Sequence, residues 1–70
     1  MKTEYRGYTI ELIARQKDGR WTADVWLWPP GQTGSPSNYS WGCDGYSRAN
    51  DAVAAGVALA KAEVDLGLSR

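Results

Sequence analysis

Apolar and polar positions alternate along YTIELIAR, residues 8–15. Tyr8, Ile10, Leu12 and Ala14 fall on one side, and Thr9, Glu11, Ile13 and Arg15 on the other. A period of two over eight residues is the signature of a half-buried strand. The same period runs through WTADVWLW, residues 21–28, where Trp21, Ala23, Val25 and Leu27 oppose Thr22, Asp24, Trp26 and Trp28. Between them lies Asp18-Gly19. That dipeptide suits a type I′ hairpin turn, in which both central residues take positive φ. With Asp18-Gly19 as the loop, paired residue numbers sum to 37. Ala14 then meets Ala23, Leu12 meets Val25 and Ile10 meets Leu27, all on one side. A loop longer by one residue would set core positions against solvent positions.

Pro29-Pro30 ends the second strand, because proline donates no ladder hydrogen bond. Residues 29–37 read as a loop rich in Pro, Gly and Ser. A third strand is expected at about 38–44, with Tyr39, Trp41 and Cys43 on the core side. Ser47 is placed to cap a helix over about 48–66, and Gly67 to stop it. Ala49, Ala52, Val53, Gly56, Val57, Ala60 and Val64 make one stripe of mostly small residues. Small residues on a helix fit against large ones on a sheet. The pattern therefore predicts one α+β domain over residues 1–70. It is a three-stranded antiparallel meander, strands at about 5–15, 20–28 and 38–44, with one C-terminal helix packed on one face (βββα, two layers).

One helix covers one face. The other face is expected to carry Trp26 and Trp28, with Glu11 beside Trp26, Thr9 beside Trp28 and Ile13 beside Asp24. An uncovered aromatic cluster is characteristic of an association surface. Trp26, Trp28, Ile13, Thr9 and Glu11 are the candidate partner-binding residues. The partner is expected to be another protein or a second copy of the chain.

Composition narrows the chemistry. The chain has 70 residues, no histidine, one cysteine, and eight basic residues against eight acidic ones. Without histidine the usual general base is missing, and with it most zinc sites. Cys43, on the expected core side, reads as a small buried hydrophobe. Glu11 and Asp24 share the open face, but a shallow sheet surface does not exclude water as an acid catalyst requires. No enzyme activity, catalytic residue, metal or cofactor is expected. A neutral chain lacks the footprint for duplex DNA or an anionic membrane. Glu11 and Asp24 also disfavour single-stranded nucleic acid on the open face. No apolar run spans a bilayer, and MKTEYRGYTI has no apolar core for a signal peptide, so a cytoplasmic location is expected.

Asp18, Gly19, Trp21, Pro29, Gly42, Cys43, Gly45, Ala52 and Val53 stand in an order that resembles the HicB-like antitoxin domain. The resemblance spans most of the chain. It implies the βββα fold and, as an alternative function, neutralisation of a small toxin. The opening YRGYTI, with Tyr5, Gly7, Tyr8 and Ile10, is also similar to small bacterial βββα proteins, which bring no activity with them. A second alternative, read from the tryptophans alone, is a stacking platform for single-stranded nucleic acid or sugar.

Overall fold

The computed structural model describes residues 1–31, 36–39 and 43–68. Its element order is β1 (Lys2–Tyr5), β2 (Tyr8–Lys17), β3 (Arg20–Trp28), β4 (Ser37–Tyr39) and α1 (Ala49–Leu68). The strands form one antiparallel sheet in the order β1-β2-β3-β4, and α1 lies across β2 and β3. The fold is α+β in two layers.

The β2–β3 register is the one the turn dictates. Lys17 pairs with Arg20, Ala14 with Ala23, Leu12 with Val25 and Ile10 with Leu27. Asp18 and Gly19 have φ of 52° and 76°. Both are positive, as a type I′ turn needs.

The expected first strand at 5–15 is instead two strands. Arg6 and Gly7 take φ of 52° and 86°, which makes a second tight hairpin. β1 then folds back on β2, with Tyr5 opposite Tyr8, Thr3 opposite Ile10 and Lys2 opposite Glu11. The left-handed conformation costs a residue with a Cβ about 1–2 kcal/mol, so an arginine there gives little warning of a turn. Its side chain is held from a distance: Arg6 Nη1 donates to Asp65 Oδ1 of α1 at 2.8 Å.

The expected third strand at 38–44 is also revised. β4 pairs only over Ser37–Tyr39, with Tyr39 opposite Val25. The chain touches β3 again further on, where Ala23 N–H donates to Cys43 O at 2.9 Å and Trp21 exchanges two backbone hydrogen bonds with Tyr46. From Tyr39 to Tyr46 is seven steps, while β3 covers only four between Val25 and Trp21. Three surplus residues preclude a continuous ladder. Trp41 lies outside the described residues, as do residues 32–35 of the proline-rich loop.

Helix α1 begins one residue after the expected start and ends two later. Its first hydrogen bond runs from Ala52 N–H to Arg48 O, which puts Arg48 rather than Ser47 at the boundary. Ala52, Gly56, Ala60 and Val64, four residues apart, are buried against Ile10, Leu12, Ala23, Val25 and Leu27. Gly56 marks the closest approach. A Cβ there would stand 2.5 Å from Leu12 Cδ2 and 3.0 Å from Val25 Cγ2. The last turns are tied to the β1–β2 hairpin. Tyr5 OH donates to Asp65 at 3.0 Å, and Lys61 Nζ lies 5.3 Å from the centre of the Tyr5 ring. No helix among the described residues is long and apolar enough to cross a membrane.

Candidate interaction surface

Strand parity assigns each side chain to a face, because directly paired residues in an antiparallel sheet point the same way. Opposite α1 lie Lys2 and Glu4 of β1; Thr9, Glu11, Ile13, Arg15 and Lys17 of β2; Arg20, Thr22, Asp24, Trp26 and Trp28 of β3; and Asn38 of β4. Among the described residues no element lies over this face.

The five candidate residues come together on it as expected. Trp26 is opposite Glu11, Trp28 opposite Thr9, and Ile13 opposite Asp24. Their exposure differs. Ile13 keeps 47% of its surface accessible, at the middle of the sheet. Trp26, Trp28, Thr9 and Glu11 are half-buried. Trp21 is on the helix face and packs against the core.

Four of the seven charged residues on the open face pair with each other. Arg15 Nη2 lies 2.6 Å from Asp24 Oδ2, and Lys2 Nζ lies 3.8 Å from Glu11 Oε2. Lys2 escaped the sequence reading because it reaches the face only through the β1–β2 hairpin. A sum of 13 about Arg6-Gly7, tested as 37 was about Asp18-Gly19, would have placed it beside Glu11. Arg15 was already within reach, one diagonal step from Asp24. The two carboxylates once weighed for acid–base work are thus each engaged by a cation.

At one end of the face Lys2, Thr9, Glu11, Trp28, Pro29 and Pro30 line a shallow groove of about 450 Å³. Gly7 forms part of its wall, and a Cβ on it would stand 3.3 Å from Pro30 Cγ. The start of the proline-rich loop therefore flanks Trp28 rather than lying over the sheet.

Other chemistry-bearing residues sit elsewhere. Cys43 is fully buried, and burial, followed by the charge of Asp44, pushes its thiol pKa up. A raised pKa lowers the thiolate fraction on which reactivity depends. On the helix side, the hydrogen bond from Arg6, then that from Tyr5, holds the Asp65 carboxyl below the usual carboxylate range. Among the described residues no three metal-ligating side chains gather.

Against protein-family models, curated proteins and solved structures, the chain finds no match.

Proposed function

We propose that the protein is a non-enzymatic docking module that binds another protein through the open sheet face. The observation that carries this is the presence of Trp26, Trp28 and Ile13 on a sheet face that no described element covers. Aromatic anchors within a polar frame are the composition of a protein interface, and tryptophan is among the commonest hot-spot residues. The pairing of Arg15 with Asp24 and of Lys2 with Glu11 supports the reading. Charges already paired within the face do not each need a partner across it.

The test is affinity capture with the wild-type chain and with Trp26→Ala/Trp28→Ala, both shown to be folded by circular dichroism. A partner bound by the wild type should be lost by the double variant. Equal capture by both overturns the proposal.

A second reading has one observation in its favour. The groove at Trp28 joins an aromatic floor to Thr9 and Glu11, and Lys2 is the one cation among its lining residues. That chemistry suits a neutral sugar better than a phosphate backbone, which requires a run of cations. Quenching or shift of tryptophan fluorescence by oligosaccharides, abolished by Trp28→Ala, would favour this reading over protein docking.

A further inference from the structure

We infer that the outer edge of β1 is an association site whose occupant is β1 of a second copy of this chain. The two strands pair antiparallel about a twofold axis at Thr3, with Lys2 opposite Glu4 in both directions. This contact is separate from the docking face above.

Hydrogen-bond phase decides which groups the edge offers. Leu12 N–H donates to Met1 O at 2.8 Å, and the Met1 amine donates to Leu12 O at 2.9 Å. Bonded and non-bonded pairs alternate in an antiparallel ladder. The register therefore turns Met1, Thr3 and Tyr5 inward to β2 and leaves the N–H and C=O of Lys2 and Glu4 pointing outward. Among the described residues no strand pairs with that outer side. Such an edge is a template for another strand. The opposite edge offers less. Trp21 and Ala23 turn their N–H groups towards Tyr46 and Cys43, and the same alternation turns Ser37 and Tyr39 inward to β3, so that Asn38 alone points outward from β4.

Charge selects both the occupant and the register. Outward groups must face outward groups, so Lys2 meets Lys2, Glu4 meets Glu4, or Lys2 meets Glu4. The first two alignments set like charges directly opposite, which is destabilising. The third sets opposite charges together and does so twice, as an isologous contact requires. A lysine on an edge ordinarily discourages pairing; here Glu4, two residues on, answers it. Both side chains are exposed, and Glu4 is in no ion pair among the described residues. Across the joint Lys2 then lies between its own Glu11 and Glu4 of the second copy, a cation between two anions. The like-charge approach at this edge is that of the Met1 amine to Arg6 and Lys61 of the second copy. It is reduced because the amine is turned inward onto Leu12 O and each Arg6 holds Asp65 at 2.8 Å.

The remaining side chains fit. Met1, 61% exposed, falls beside the Tyr5 ring of the second copy, a sulfur–aromatic contact. Helix α1 lies across β2 and β3. Two β1 strands keep the β2 strands about 14 Å apart, so helices about 10 Å across stand side by side. Directly paired residues point the same way, so the bare faces of both copies continue on one side of a single sheet. Each Lys2–Glu4 pair exchanges two backbone hydrogen bonds. Over about 13 Å of strand this is far smaller than a standard interface, and a dimer that dissociates at about 1 mM is expected.

The experiment is sedimentation equilibrium and amide NMR of the intact chain from about 50 µM to about 2 mM, with circular dichroism to confirm each fold. The wild type should dimerise, and the Lys2 and Glu4 amides should shift and exchange more slowly as concentration rises. Glu4→Pro removes an outward N–H, a change an edge strand tolerates, and should weaken the dimer at least about tenfold. Glu4→Lys and Lys2→Glu should each stay monomeric alone and associate when mixed, because the mixture restores both opposite-charge pairs. A wild type that is monomeric up to about 2 mM overturns the inference. So does a dimer that Glu4→Pro leaves unchanged, which forms elsewhere, or a mixture that fails to associate where the wild type does. The docking reading keeps its own capture test and survives any of these.

Discussion

Ile10 and Ile13 lie three residues apart on β2 and point to opposite faces of the sheet. Ile10 has no accessible surface, whereas Ile13 keeps 47%. On Ile10's side the strands present Leu12, Ala23, Val25 and Leu27, all buried, to a helix whose contact positions are Ala52, Gly56, Ala60 and Val64. On Ile13's side the apolar residues are spaced out among Thr9, Glu11, Arg15, Thr22 and Asp24, and the charges nearest them form ion pairs, Arg15 with Asp24 and Lys2 with Glu11. Hydrophobicity alone does not separate the two faces, because the bare one carries two tryptophans. The difference lies in continuity. The covered face is continuously apolar where the helix crosses β2 and β3, with polar residues only at its margins (Thr3, Gln16 and Ser37), and only burial satisfies it. The bare face is a set of large side chains in a polar frame whose central charges are paired, stable in water yet ready to be covered.

The sharpest way to break this comparison is to remove apolar volume from the covered side. Leu12→Ala should cost about 2–5 kcal/mol, the range for a large-to-small change in a packed core. A 70-residue domain has a total stability of only about 4–10 kcal/mol at the usual value per residue. Chemical denaturation should therefore show a chain near the edge of unfolding. Gly56→Ala tests the same side in the opposite sense. The added methyl would meet Leu12 Cδ2 at 2.5 Å, and overpacking of this kind costs about 1–3 kcal/mol. Alanine returns about 1 kcal/mol of helix propensity. A net loss of about 1 kcal/mol should appear as a fall of about 4–8 °C in melting temperature.

How much of this could be read along the chain depends on where the determining interaction lies. The β2–β3 ladder was legible because Asp18-Gly19 sets it locally and every later pair follows by parity. The helix and its small-residue stripe were legible for the same reason, as a period in one segment. Residues Trp26, Trp28, Thr9, Glu11 and Ile13 could be brought together from that ladder alone. β1 could not be found this way. Its turn places Arg6 in a backbone region that arginine avoids, and the ties that hold Arg6 and Tyr5 reach Asp65, 59 and 60 positions further on. Lys2 was lost to the face with it. The break after β4 was hidden because three surplus residues leave no periodic trace.

The ties at Asp65 bear on the covered side, since they fasten the end of the helix to the β1–β2 hairpin. Arg6 and then Tyr5 depress the carboxyl's pKa, so its contribution is present above the ordinary carboxylate range and is lost as pH falls through the depressed value. Tyr5 is shifted the other way. Its hydrogen bond to Asp65, followed by burial, raises the phenol's pKa, so its share is present below the ordinary tyrosine range and lost as pH rises through the raised value. Thermal melts from neutral to acid pH should show a shallower decline for Asp65→Asn than for the wild type. Its loss at neutral pH should be smaller than that of either core variant. An unchanged acid limb would mean that the helix end is held by packing alone.

The smallest effect on stability belongs to the bare face. Ile13→Thr keeps the β-branch, suits a strand and removes apolar surface that water already reaches. Its melting temperature should stay within the shift expected of about 0.5 kcal/mol. The same change at Ile10 would leave an uncompensated hydroxyl in the core and cost several times more. If Ile13→Thr melted as low as Ile10→Thr, the bare face would already be covered in the folded chain, and no surface would remain for a partner. If it melted with the wild type and lost the partner binding attributed to that face, then one isoleucine of the strand serves the fold and its neighbour three residues on serves the contact.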